Sequence, residues 1–190
     1  MAEGRRLLAV LDANVLIPAY KGDFLLTAAF LRLYTPVLSG RIFAECRRNL
    51  HAGKAGRLDA AEDFFADRFV TGWENLEDEM PLSRCPEDRH VLALAVFSES
   101  EIVVTDERRL AEEINSLERG VRALTADGFS CELLELRGAE AVRGVITAMA
   151  EKRRRPPQSE ADIWSVLGYP MSGLPELAER YHQRESGGRS

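Results

Sequence analysis

Leu7-Leu8-Ala9-Val10-Leu11 is an unbroken apolar run that ends on Asp12 and continues into Ala13-Asn14. A strand with one wet face alternates apolar and polar residues. A strand without alternation is covered on both faces, as happens inside a parallel sheet with helices above and below. Ile102-Val103-Val104-Thr105-Asp106 repeats the pattern of an apolar strand followed by an acid. Together the two runs predict an α/β fold with a central parallel sheet flanked by helices, and they put Asp12 and Asp106 at the C-terminal edge of its strands. In open α/β sheets that edge is where ligands bind. Taken alone, Asp12 or Asn14 is equally well explained as the cap of the next helix, since both side chains accept from free N–H groups. Whether other acids converge on the same edge decides between the two.

The 190 residues are enough for one main domain with its own core. A net charge of -6 excludes a protein that coats nucleic acid at large, because such binding needs many phosphate-neutralising cations, but it leaves room for local basic patches. Cys46, Cys85 and Cys131 are odd in number, far apart and without ligand-like spacing, so buried free thiols in a reducing compartment are expected rather than disulfides or zinc. No secretory h-region precedes the first strand and no apolar run is long enough for a bilayer, so a soluble, cytoplasmic protein without membrane association is expected.

Helical spacing predicts a helix over 24–33. A short extended piece at 37–39 follows, with Ser39 as the possible N-cap of a helix over 41–50 that turns Ile42, Cys46, Asn49 and Leu50 inward. Arg41, Glu45 and Arg48 then lie along its rim. A helix is expected over 58–68, a strand at 69–71 and a solvated acidic loop at 74–79. Val91 to Phe97 is apolar all round, a helix buried against the sheet. Asp88 lies in its first turn on a stripe with Leu92 and Ala95, facing the core. An acid in a first turn gains about 0.3–1 kcal/mol from the helix dipole, but that does not require an inward position. A last strand is expected at 121–124, then a turn into a helix. The predicted divisions are a main α/β domain at 6–137, a helical C-terminal extension at 138–185 and a disordered tail at 186–190. Within the extension, Ser159-Glu160-Ala161-Asp162 resembles a capping box with Asp as its fourth residue, and Arg153-Arg154-Arg155 reads as solvated charge.

The coarse fold brings Asp12, Glu45, Asp88 and Asp106 toward one edge. Two carboxylates about 5 Å apart at an effective dielectric near 20 repel by roughly 3 kcal/mol, so four of them need a counter-charge. Oxygen ligands without a His or Cys cluster favour Mg²⁺ or Mn²⁺ over zinc. Such ions, singly or paired, polarise a phosphodiester and generate hydroxide, so the implied reaction is phosphodiester hydrolysis. Asn14, Ser39, Arg89 and His90 are then candidate positioning or substrate groups, with structural roles as the alternative for each. Arg41, Arg47, Arg48, Lys54 and Arg57 form a basic stripe against the single Glu45, and Arg47 and Arg48 are candidates for phosphate contact.

Leu-Asp-Ala-Asn-Val-Leu at 11–16, Glu45 followed by Arg-Arg-Asn-Leu at 47–50, Pro-Glu-Asp-Arg-His-Val-Leu-Ala at 86–93 and Val-Val-Thr-Asp at 103–106 resemble the acidic motifs of PIN-domain ribonucleases. They are most similar to VapC-type toxins of type II toxin–antitoxin systems, in a subgroup with a helical C-terminal extension. The resemblance covers roughly residues 6 to 130. It implies a PIN (FEN-like) fold, Mg²⁺-dependent endoribonuclease activity on RNA such as tRNA, homodimerisation and a cognate antitoxin protein that inhibits the site. In many relatives the fourth acid, or an Asn, falls two residues after the Thr, which here is Glu107. Asp106 is preferred because it ends the strand, with Glu107 as the alternative. A receiver-type domain lacks its strand-associated Lys here, and a haloacid dehalogenase-type phosphatase would need Asp at the position of Asn14. The remaining rival is a non-catalytic PIN-fold scaffold that binds RNA or protein.

Overall fold

Both apolar runs form interior strands of one four-stranded, all-parallel sheet. The computed structural model describes residues 7–50, 56–117, 119–153 and 156–187. Strands β1 (Leu8–Leu11), β2 (Thr35–Val37), β3 (Ile102–Val104) and β4 (Arg122–Leu124) are arranged β2-β1-β3-β4. In register, Ala9 pairs with Pro36 on one side and Ile102 on the other, and Val103 pairs with Ala123. Ala9, Val10, Leu11 and all of β3 are fully buried, as their lack of alternation requires. Pro36 lies in an edge strand, where a missing N–H can be tolerated.

The helices in chain order are α1 (Ala13–Leu16), α2 (Ala19–Phe30), α3 (Gly40–Asn49), α4 (Gly56–Phe64), α5 (Arg89–Phe97), α6 (Arg108–Ser116), α7 (Ala126–Arg137), α8 (Ala139–Lys152), α9 (Glu160–Leu167) and α10 (Gly173–Gly187). The chain forms two compact units. The first joins Met1–Pro18 to Tyr34–Thr125 and holds the sheet with α1 and α3 to α6. Here α5 packs on β1 and β3, buried along His90 to Ala95. The acidic stretch expected to be a solvated loop is a 3-10 helix, Trp73–Glu79, packed on α5 with Trp73 buried. The indole side chain supplies the burial that the acids around it conceal. The strand expected at 69–71 is reduced to a single parallel bridge between Leu38 and Phe69. The helix expected to reach 68 stops at Phe64 and is followed by a 3-10 turn, Ala66–Arg68.

The second unit joins Ala19–Leu33 to Ala126–Ser190, a different division from the boundary expected at 137. Both α2 and α7 pack on α8, so apolar faces carrying Phe24, Leu25 and Ala28 and carrying Phe129 and Leu133 are closed by the C-terminal helices. Arg153 is no solvated charge: its guanidinium bonds Asp23 at 2.6 Å and lies 4.4 Å from the Tyr20 ring centre. Arg154 and Arg155 lie outside the described residues. Ser159 and Asp162 close the capping box reciprocally, so the shorter acid suffices at that position. Asp127 caps α10 from a distance, accepting from the Gly173 and Leu174 N–H groups at 2.9 Å each. Because α10 runs to Gly187, the tail expected from 186 begins helically, and its last residues, 188–190, are outside the described set. Among the described residues no helix is long and apolar enough to cross a membrane.

Candidate functional site

Asp12 leaves β1 with its N–H donating to the Val104 carbonyl at 3.0 Å, which holds it at the C-terminal edge between the two interior strands. It is both a cap and a point of convergence. One carboxylate oxygen accepts from the Ala13 N–H at 2.6 Å as the N-cap of α1; the other accepts from Asn14 Nδ2 at 2.6 Å and from the Thr105 hydroxyl at 2.7 Å. Asn14 also donates to Thr105 Oγ1 at 2.9 Å and accepts from the Asp106 N–H at 3.0 Å, so it ties the ends of β1 and β3 together. Burial pushes the Asp12 carboxyl up, and the hydrogen bonds from Thr105 and Ala13 oppose this only in part.

A cleft of about 540 Å³ opens at this edge, lined by Asp12, Glu45, Glu87, Asp88 and Glu107 together with Asn14, Asn49, Cys85, Arg84 and Arg109. Glu107, rather than Asp106, is the acid of the β3 end that lines it. Thr105 is buried and bonded to Asp12, and its hydroxyl oxygen also accepts from the Glu107 N–H at 3.1 Å, which ties Glu107 to this end of the sheet. Glu107 also caps α6 through the Arg109 N–H. Asp106 is exposed.

Asp88 ends a 3-10 turn, Pro86–Asp88, at the start of α5, half-buried and making no side-chain cap bond. Burial first, then the fields of Asp12, Glu87, Glu45 and Glu107, push its carboxyl up to about 6. Folding therefore tightens proton binding between pH 3.8 and about 6, and stability falls as pH rises through that window, with the cost persisting above it. Asp88→Asn is expected to raise the melting temperature in EDTA by several degrees at pH 7 and to leave it near wild type at pH 4, read by thermal unfolding across pH.

The other expected site groups divide. Ser39 is buried and N-caps α3 through the Ile42 N–H at 3.3 Å, and it does not line the cleft. Arg89 donates to the Leu82 carbonyl at 3.2 Å, a structural bond. His90 is buried with Nδ1 at 3.0 Å from the Glu87 carbonyl, which can only accept, so Nδ1 carries a proton. Among the described residues its Nε2 has no hydrogen-bond partner, and it stands 3.4 Å from Glu45 Oε1 without the alignment of a bond. The basic stripe is largely neutralised. Arg47 pairs with Asp59 and Glu62, Arg41 with Glu77 at 2.6 Å, and Arg48 lies 3.9 Å from Glu45. Arg57 donates to the carbonyls of Leu16, Ile17 and Pro18. Lys54 lies outside the described residues.

Glu113 shows no sign of a role in the sequence. It is a buried acid on α6, and its carboxylate accepts from the Ser83, Arg84 and Cys85 N–H groups and the Ser83 hydroxyl. It thereby holds the loop that leads into Asp88. All three cysteines are free, with Cys46 and Cys85 buried and Cys131 half-buried. Burial pushes the Cys46 thiol up to about 12 and the Cys131 thiol up to about 11, which leaves neither as a thiolate nucleophile at neutral pH.

Among the described residues no three His, Cys, Asp or Glu side chains form a group that could hold a metal ion as they stand. In donor chemistry the cleft nonetheless suits a hard cation. Its acids offer oxygen only, Asp88 makes no side-chain cap bond, and Asp12 keeps lone-pair capacity beyond its three bonds. No protein-family model, curated protein or solved structure matches the chain.

Proposed function

We propose that the acidic cleft is the active site of a Mg²⁺- or Mn²⁺-dependent endoribonuclease of PIN type. The observation that carries this reading is the gathering of Asp12, Glu45, Asp88 and Glu107, from four separate segments, into one cleft at the C-terminal edge of a parallel sheet. The likeness of residues 11–16 and 86–93 to PIN-domain motifs supports it, and that likeness also carries the expectations of a homodimer and an inhibiting antitoxin. Asp12, Asp88, Glu45 and Glu107 are the residues that would hold the ion. A hard cation bound there would neutralise the carboxylates, polarise the phosphodiester and make hydroxide available. Asn14 and Thr105 orient Asp12. Asp88 must give up its proton for the cleft to accept positive charge, so cleavage rises with pH through about 6 at limiting metal.

Incubating the protein with tRNA, mRNA and rRNA pools in Mg²⁺ or Mn²⁺, with EDTA as control, and mapping the cut ends tests this. Discrete internal cuts that vanish in EDTA are expected; intact RNA in both metals overturns the reading. The spread of the acids, no three of which form such a group among the described residues, favours a second reading, a non-catalytic RNA-binding scaffold. Binding without cleavage in the same assay distinguishes it.

A further inference from the structure

Resting on the nuclease reading of the cleft, we infer that Arg84 and Arg109 are the phosphate-contacting pair that admits RNA past the carboxylates. A polyanion approaching five acids needs cations at that spot, and both arginines line the cleft. The described arginines of the stripe at 41–57 do not line the cleft, and Arg41 and Arg47 are paired with acids while Arg57 donates to carbonyls.

Arg109 sits in the first turn of α6, where a cation opposes the helix dipole, and among the described residues no acid pairs with its side chain. It therefore brings no evident structural gain at its position. Arg84 is 54% exposed and only 3.8 Å from Glu112, whose nearer partner is Arg108 at 2.8 Å. Both backbones are nevertheless anchored: Glu107 accepts the Arg109 N–H, and Glu113 accepts the Arg84 N–H. Since Glu113 is itself on α6, the loop and the helix that carry the two arginines are tied to each other. Two loosely held guanidinium groups on fixed main chain, one on each of these segments, suit bidentate contact to successive phosphates.

The test measures polarisation of a labelled single-stranded RNA in Ca²⁺, and cleavage kinetics in Mg²⁺, for wild type, Arg84→Gln, Arg109→Gln, the lysine replacements at both positions, and Arg47→Gln as control. Each glutamine variant is expected to raise Kd and KM about tenfold with kcat within about twofold, and to lower the slope of log Kd against log salt by about 0.7. The lysine variants should recover most of the slope, and Arg47→Gln should match wild type. Unchanged Kd and slope in both glutamine variants, with wild type cleaving, overturns the inference and leaves the nuclease reading standing. Wild-type binding that depends on the two arginines, without cleavage, sinks the nuclease reading and supports the pair. A wild type that neither binds nor cleaves RNA sinks both.

Discussion

Asp12→Asn is expected to abolish RNA cleavage, with kcat/KM falling by at least ~10³-fold, since on the proposed reading it removes a buried carboxylate from the set that would hold the activating ion. The loss should fall mainly on kcat, because RNA binding is assigned to Arg84 and Arg109 and not to Asp12. Stability should hardly change, since two effects oppose one another. Burial pushes the Asp12 carboxyl up, so neutralising it relieves a cost. Yet one of its oxygens accepts from both Asn14 and Thr105 and the other from Ala13, so an amide NH₂ in either orientation faces a donor. A melting temperature within a few degrees of wild type is expected, so lost activity reports chemistry rather than unfolding. If the chain acts as a toxin, as the proposed reading implies, the wild type should arrest growth on expression, Asp12→Asn should not, and a co-expressed antitoxin should lift the arrest. Cleavage by Asp12→Asn within about tenfold of wild type would place the chemistry elsewhere.

The parts of this site that are legible in the sequence are those set by local pattern. Uninterrupted apolar runs mark β1 and β3 as interior strands, and the residues after them must then lie at the sheet's C-terminal edge. Spacing puts Asp88 in the first turn of α5 on a core-facing stripe with Leu92 and Ala95, whereas it ends the 3-10 turn before α5 and is half-buried at the cleft. Where a single residue of register matters, the pattern fails: it does not separate the neighbours Asp106 and Glu107, of which the folded edge brings Glu107 to the cleft lining. Long-range pairing is invisible as well. Arg47 looks like a free cation until Asp59 and Glu62 come beside it from α4. The helix α6 escapes notice because its start carries Arg108 and Arg109 where acids are usual, and because buried Glu113 reads as surface. Helical spacing likewise shows that α2 has an apolar face without showing that the C-terminal helices cover it.

Glu113→Ala is expected to cost about 2–4 kcal/mol. The carboxylate accepts from Ser83 N at 2.6 Å, Ser83 Oγ at 3.0 Å, Arg84 N at 3.0 Å and Cys85 N at 3.2 Å. Alanine leaves these donors unpaired. Water can reach those of exposed Ser83 and Arg84, but Cys85 is buried, so part of the penalty stays uncompensated. Glu113→Gln keeps one acceptor oxygen and should lose about half as much. Burial pushes the Glu113 carboxyl up, but the backbone and hydroxyl donors outweigh it and hold the group below its ordinary 4.5. The stabilisation is therefore full above pH 4.5 and lost as pH falls through the lower folded value, the reverse of Asp88, whose cost disappears on acidification. The gap between wild type and Glu113→Gln in chemical denaturation should accordingly narrow below pH 4.5. Because the loop released at Ser83 to Cys85 runs directly into the 3-10 turn that ends at Asp88, cleavage should also fall about 10- to 100-fold at temperatures where the variant remains folded. A Glu113→Ala protein within about 0.5 kcal/mol of wild type would show that the loop is held by other contacts and that Asp88 does not depend on this tie.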